Sequence, residues 1–364
     1  MADLTASSRI GDWTIVRVLG VGTVGTVYLV EREKSDESGK AIKEVGALKI
    51  LQRDVSTDEI VKARFQREIE ILQKLSHPNV VAIHDSGRHR SSSGKAGDQL
   101  YYVMEFVDGP SLKEVLAEQG RLDWKDAVEI GWQICSALQH AHNMGVIHRD
   151  LKPANLFLTQ RGEVKLGDFG IALDTGEVEL TATGLTVGTY AFMSPEQIRG
   201  ERAGPDEGGV YRQGVTGLAD IYALGCLLYR MIAGENPFGG ANFAQIFDQH
   251  LNQPAPSVRD RVAEAPVELD RLLKEMMAKD PAERPYNARC VQGRLAEALM
   301  QWDETEGEKL AARPATWAID SHQPILSNII RPRREDQVVN IGWRPLIVMA
   351  LAVVALIAAA AMAR

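Results

Sequence analysis

Cysteine is scarce. Cys135, Cys226 and Cys290 are the only three in 364 residues, they lie far apart, and no C-x-x-C pair occurs. That excludes a disulfide-stapled scaffold, argues against a structural zinc site and fits a reducing compartment. A basic surplus is also missing. The 41 Lys and Arg face 49 Asp and Glu for a formal net charge of −8, which predicts no nucleic-acid binding through a basic surface. Residues 1–12 lack an apolar stretch, so no signal peptide is expected and the bulk of the chain is expected to stay where it is made. No internal repeat is visible. What is present is ordinary for a globular protein, 45% hydrophobic and 25% charged residues, which excludes intrinsic disorder and collagen-like repeats. The length predicts two domain-sized units or one bilobal one.

Two regimes follow each other. Residues 11–107 hold short β-rich runs (Trp13–Leu19, Thr26–Glu31, Val45–Ile50, Val80–His84 and Leu100–Phe106) and one helical stretch, Ile60–Leu75. Residues 108–303 are mostly helical by period, as in Trp124–His142 and Ala219–Ile232. Polar inserts interrupt the first regime at Glu33–Glu44, expected to be a solvated hairpin, and at Arg88–Asp98. Residues 304–344 turn polar and irregular, with Pro314, Pro324 and Pro332, and predict a linker. From Pro345 to Ala363 run nineteen residues without a charge or a side-chain amide. A helix of that length reaches roughly 28 Å, close to the roughly 30 Å of a bilayer's hydrocarbon core. Residues 331–364 carry five arginines against Glu335 and Asp336, with Arg344 beside Trp343 at the start of the run. This predicts a single membrane-spanning helix over 345–363, with the large preceding part in the cytoplasm, at the inner membrane face. Only Arg364 follows the run, so nothing foldable is expected on the far side.

Chemistry-bearing residues fall into four blocks. Leu19-Gly20-Val21-Gly22-Thr23-Val24-Gly25-Thr26-Val27 lies between two predicted strands. It reads either as a loop whose bare backbone covers phosphates or as a simple Gly-rich hairpin. Lys49 sits inside the apolar strand Ala47–Leu51 and needs an anionic partner if it is buried. Glu68, on the apolar face of its helix between Phe65 and Leu72, is the candidate, with Glu70 as the alternative. His148-Arg149-Asp150-Leu151-Lys152-Pro153-Ala154-Asn155 and Asp168-Phe169-Gly170 then place two carboxylates, an ammonium and a carboxamide within a short span. That set matches the needs of phosphoryl transfer: a base, a phosphate neutraliser and two oxygen ligands for a hard cation such as Mg2+ or Mn2+.

The blocks, in this order, resemble the eukaryotic-type (Hanks-type) serine/threonine protein kinases and look like their bacterial, membrane-anchored members. Met193-Ser194-Pro195-Glu196, Asp220-Ile221-Tyr222-Ala223-Leu224-Gly225 and Asp280-Pro281-Ala282-Glu283-Arg284-Pro285 complete the set. The resemblance runs from about Gly11 to Trp302. It implies an α+β, bilobal protein kinase fold, with a small antiparallel β-sheet lobe over 11–107 and a larger helical lobe over 108–303. It also implies ATP and Mg2+ as cofactors, protein substrates, and a possible homodimer through the small lobe. Position by position, the resemblance assigns Gly20, Gly22 and Gly25 to the phosphates, Val27 and Ala47 to the adenine ring, and Leu19 to the ATP site beside them. Lys49 would hold the α- and β-phosphates, oriented by Glu68. Met104 would be the gatekeeper, the backbone of Glu105 and Val107 would meet the adenine edge, and Phe157 would floor that pocket. Asp150 would accept the substrate proton, Lys152 would neutralise the γ-phosphate, and Asn155 and Asp168 would bind the metal. Glu196 with Arg284 is expected as a buried ion pair, Asp220 as the holder of the catalytic-loop backbone, and His148 and Phe169 as packing residues.

Lys152, two residues after Asp150, and Thr189, before Tyr190, are features of the Ser/Thr branch. Arg149 beside Asp150 marks the subgroup switched by phosphorylation of the segment after DFG. Of the threonines there, Thr183 or Thr186 is expected to carry the phosphate, with Thr181 a further candidate. The stretch 200–217 is longer than usual for the family, and reads either as a substrate-recognition insert or as a tolerated loop. Two rival functions share the motifs: a membrane-tethered pseudokinase scaffold and a small-molecule kinase. Lys49, Asp150 and Asp168 all stand against the first, and the intact segment from Gly188 to Glu196 stands against the second.

Overall fold

The computed structural model describes residues 5–22, 25–35, 39–51, 59–90, 98–169, 187–201, 203–205 and 211–300. The expected linker, the membrane helix over 345–363, Gly170 and the threonines at 175, 181, 183 and 186 lie outside them. Among the described residues no helix is long and apolar enough to cross a membrane.

Two compact units emerge. The first holds the described residues up to 62 and those of 84–106; the second holds those of 63–83 and 107–300. The first is a sheet of β1 (Arg9–Ile10), β2 (Trp13–Val21), β3 (Gly25–Ser35), β4 (Ala41–Leu51), β5 (Ile83–Arg90) and β6 (Asp98–Glu105), in the order β1-β2-β3-β4-β6-β5. Period-2 alternation builds it. Trp13 and Ile15, Tyr28 and Val30, Leu48 and Ile50, and Tyr101 and Val103 all turn to one face and form, with Ile10, a single buried cluster. The Glu33–Glu44 insert is a hairpin, as its pattern predicts. β3 and β4 pair without a break from Gly25↔Leu51 to Ser35↔Ala41. Cross-strand ion pairs reinforce its outer half, Arg32 to Glu44 at 2.7 Å and Lys43 to Glu31 at 2.6 Å.

One strand departs from expectation. The apolar run from Val80 is not a strand of this sheet. Val80 bridges Leu166 and the Val81 N–H donates to the Leu166 carbonyl at 2.9 Å, so the run serves the second unit. β5 starts only at Ile83 and continues into the first polar residues of the Arg88–Asp98 insert.

The second unit is mainly helical. Helix α1 (Glu59–Leu72) straddles the division, and α2 (Leu112–Gln119), α3 (Trp124–Asn143), α4 (Pro195–Ile198), α5 (Gly217–Ala233), α6 (Phe243–Asn252), α7 (Val267–Met276) and α8 (Ala288–Met300) follow. Two short hairpins interrupt them, β7 (Leu156–Leu158) with β8 (Val164–Leu166), and β9 (Ala203–Pro205) with β10 (Tyr211–Gln213). Their ends carry ordinary stop and start chemistry. Ser111 and Glu114 form a capping box at α2, and the Asp123 carboxylate accepts from the Lys125 N–H at α3. Thr216 caps α5, which ends at Gly234 with φ +82°. Helices α3 and α5 are buried almost all round, and they form the centre of a core that also takes in α2, α7 and α8.

Candidate active site

Strand register places the first group of candidates. Since Tyr28, Val30, Leu48, Ile50, Tyr101 and Val103 point to the core, Val27, Ala47, Lys49, Tyr102 and Met104 point to the opposite face. On that face Gly20 pairs with Val27, Val27 with Lys49, and Lys49 with Tyr102, in one row across four strands. The next row joins Leu29, Ala47 and Met104, and Gly46 faces Glu105. Ala47 and Tyr102 are buried, and Lys49 and Met104 half-buried. The Lys49 Nζ lies 5.9 Å from the centre of the Tyr102 ring, within cation–π range. Leu19 and Gly20 are half-buried at the end of β2, and the Gly22 N–H donates to the Gly25 carbonyl at 2.9 Å. Gly25 must be glycine: a Cβ there would sit 2.1 Å from the Ile50 carbonyl oxygen.

On α1, Phe65, Ile69 and Leu72 are buried and Glu68 is half-buried on the same side, whereas Glu70 is exposed and accepts from Gln66. Lys49 belongs to the first unit and Glu68 to the second.

The second unit gathers the HRD block. The Asp150 carboxylate, 40% exposed, accepts from Lys152 Nζ at 2.7 Å and from Asn155 Nδ2 at 3.2 Å. Asn155 is buried in a 3₁₀ turn (Pro153–Asn155), and its Nδ2 also donates to the Asp150 carbonyl at 2.8 Å. The loop is held from beneath. Asp220, on the first turn of α5 and 1% exposed, accepts the backbone N–H of His148 and of Arg149, each at 2.9 Å. His142 Nε2 lies 2.7 Å from the same carboxylate. Gly217 leaves room for that imidazole, since a Cβ there would come within 2.7 Å of it.

His148 is fully buried. Its Nε2 lies 3.0 Å from the Gly167 carbonyl, which can only accept, so Nε2 carries the proton and Nδ1 is free to accept the Asp150 N–H at 3.3 Å. Its ring packs on Phe169 with centroids 4.7 Å apart. The imidazole is therefore a bonded core group tying the loop to the backbone before Asp168. Gly167 N–H donates in addition to the Asn155 carbonyl at 2.9 Å. Arg149 (φ +63°) and Asp168 (φ +49°) both hold left-handed backbone, conformations unusual for residues with side chains.

The expected Glu196–Arg284 pair is present and bidentate, at 2.8 and 2.9 Å, with both side chains at most 2% exposed. Arg284 also donates to the carbonyls of Leu218 and Ala278. Phe157 is half-buried in β7, Val107 is buried, and Thr189 falls in a 3₁₀ turn (Val187–Phe192). Sequence reasoning missed three contributors: Tyr102, His142 and Gln197, whose Nε2 donates to the Arg149 carbonyl at 2.8 Å. Gln197 had a legible signal, because Ser194-Pro195-Glu196-Gln197 is a capping-box pattern.

Asn155 and Asp168 offer oxygen donors suited to a hard cation. Among the described residues no group of three or more His, Cys, Asp or Glu could hold a metal by itself.

An antiparallel sheet bearing a glycine turn and a lysine on the face away from its core, and a helical unit bearing a braced aspartate–lysine–asparagine loop, make the α+β, bilobal architecture of a protein kinase. The chain belongs to that family: the protein kinase domain profile matches residues 13–295. Among curated relatives, the serine/threonine-protein kinase PknJ of Mycobacterium tuberculosis is 37% identical over 288 residues, covering 78% of this chain and 44% of the relative. Serine/threonine-protein kinase PrkC of Bacillus subtilis is 35% identical over 290 residues, covering 79% and 41%. Serine/threonine-protein kinase PknB of Mycolicibacterium smegmatis is 32% identical over 324 residues, covering 85% and 48%. The matched stretches thus span less than half the length of these relatives.

Proposed function

We propose that this chain is an ATP-dependent protein kinase that transfers the γ-phosphate to Ser or Thr hydroxyls of proteins, its own 170–189 segment included. The observation that carries the reading is the Asp150 carboxylate with Lys152 and Asn155 on it, on a loop fixed by Asp220. Asp150 accepts the hydroxyl proton as the substrate oxygen attacks the γ-phosphorus and ADP leaves. Lys152 is near enough to neutralise the charge that the transferred group spreads over its oxygens. Positioning and neutralisation supply most of the rate, so Asp150 need not be a strong base. Gly20, Gly22 and Gly25 cover the phosphates, Lys49 oriented by Glu68 holds the α- and β-oxygens, and Val27, Ala47, Met104, Glu105, Val107 and Phe157 enclose the adenine. Asn155 and Asp168 hold Mg2+, which neutralises phosphate charge. A phosphate on Thr181, Thr183 or Thr186 pairs with Arg149 and orders the segment, while Thr189 positions the substrate. Residues 345–363 anchor the enzyme in the cytoplasmic membrane, with the kinase domain in the cytoplasm.

The test is intact mass of the 364-residue chain, purified in detergent, over time with Mg-ATP, beside Asp150→Asn and Lys49→Met. Stepwise gain of single phosphates in the wild type alone, mapping between 170 and 189, is the expected result. Nucleotide binding without a mass step in any sample overturns the reading in favour of a scaffold.

A further inference from the structure

The backbone around the catalytic aspartate is held at each polar atom. The Arg149 N–H donates to Asp220 Oδ1 at 2.9 Å. The Asp150 N–H meets the His148 carbonyl at 2.9 Å and His148 Nδ1 at 3.3 Å, and the Asp150 carbonyl accepts from Asn155 Nδ2 at 2.8 Å. Between them the Arg149 carbonyl accepts from Gln197 Nε2 at 2.8 Å, and among the described residues no other group donates to it. Arg149 holds φ +63° here. A residue with a side chain keeps left-handed backbone only where its surroundings over-determine it. The restraints from His148, Asn155 and Asp220 arise within the loop or from α5 beneath it. The one on the Arg149 carbonyl comes from a residue 48 positions further along the chain.

The amide of Gln197 has one orientation that satisfies both its ends. Its Oε1 accepts the Ser194 N–H at 3.1 Å and the Ser194 hydroxyl at 3.0 Å, which leaves Nε2 for the Arg149 carbonyl. Ser194 is fully buried, and the adjoining Glu196 is paired with Arg284, so the donor is mounted on a fixed turn. The contact joins two parts of the chain with different work. Arg149 and Asp150 stand before the 170–189 segment, and Ser194-Pro195-Glu196-Gln197 stands after it. Gln197 bonds one to the other directly.

We propose that Gln197 is a positioning residue for phosphoryl transfer: its amide N–H fixes the peptide plane before Asp150 and so ties the aim of the catalytic carboxylate to the turn that follows the 170–189 segment. The inference rests on the kinase reading above and adds to it a residue that acts through the catalytic loop. Without the donor, the Arg149 carbonyl is free to swing toward ordinary backbone, and Asp150 turns with it. Rate in this reaction comes largely from positioning. The loss of one hydrogen bond at such a point sets about tenfold in kcat as the scale to look for, with ground-state binding untouched.

Three variants of the full chain, brought to equal phosphate content as checked by intact mass, separate the two ends of the amide. Gln197→Glu keeps an acceptor for Ser194 and removes the donor; Gln197→Met removes both; Gln197→Lys removes the acceptor and keeps a donor. With Mg-ATP and dephosphorylated casein as the acceptor protein, kcat should fall about tenfold in the first two and stay within about threefold of wild type in the third. The KM for ATP and for casein should not change in any. Hydrogen exchange over residues 147–156 should quicken in the first two variants and not in the third, with α5 unchanged. A role confined to the bonds with Ser194 predicts another order, with Gln197→Lys as damaged as Gln197→Met and Gln197→Glu sound. That order, an equal fall in all three, or no fall in any overturns the proposal. A wild type that transfers no phosphate fails the kinase reading, and the exchange pattern then decides the positioning: loop exchange that follows the donor upholds it, and exchange indifferent to the donor overturns it.

Discussion

Asp126 occupies the third position of α3, where a helix N-terminus favours negative charge. Its carboxyl is nonetheless pushed up to about 6, by burial first and then by the neighbouring charges of Asp123 and Glu129, with Lys125 opposing. Desolvation therefore outweighs the dipole at this residue. The folded state holds the Asp126 proton more tightly than the unfolded state does. Its contribution to stability is present at pH 4 and is lost as the pH rises through about 6. At pH 7.5 Asp126→Asn should accordingly stabilise the protein by about 1 kcal/mol, allowing for solvent screening of this partly exposed group, and should do nothing at pH 4. Urea unfolding at the two pH values measures it. An equal gain at both would mean that the charge is not the cause.

At the scale of elements, α5 and the loop before α8 act on the catalytic loop without containing it. Arg284 closes a bidentate pair with Glu196 in a place where neither side chain meets water. Arg284→Met leaves a buried carboxylate without its partner, which costs about 3–5 kcal/mol. Adding Glu196→Gln should recover part of that loss, and thermal unfolding of the single and double variants tests it; a single variant within 1 kcal/mol of wild type contradicts the role. These elements also mark what was legible beforehand. The pattern over Trp124–His142 predicts a helix and the helix runs Trp124–Asn143; that over Ala219–Ile232 predicts another, which runs Gly217–Ala233. Uninterrupted 3.6-residue periodicity makes such segments plain. The catalytic blocks were legible because their chemistry is packed into short spans. The strand pattern at Val80 misleads because nothing local says that Val80 bridges Leu166 rather than joining the sheet. Tyr102 under Lys49 is a consequence of strand register, and His142 on Asp220 of a contact 78 residues apart, so neither has a signature within its own stretch.

At the scale of the whole molecule, the described residues form two separate hydrophobic cores. One joins Ile10, Trp13, Ile15, Tyr28, Val30, Leu48, Ile50, Tyr101 and Val103 within the sheet unit, and the other runs from Leu72 to Leu299 through the helical unit. No residue is shared between the two clusters, so a defect in one need not reach the other, and the two units are expected to open as distinct cooperative blocks. Ile15, 2% exposed, lies in the smaller core. Ile15→Ala deletes buried methyl groups and leaves a cavity, at a cost of about 2–5 kcal/mol. Hydrogen exchange followed by mass spectrometry should then show amides of β2, β3 and β4 exchanging roughly thirtyfold faster or more, while those of α3 and α5 keep their wild-type rates. Acceleration of α3 and α5 by the same factor would mean that the sheet and the helices unfold as one block, and that the smaller core has no independent stability to lose.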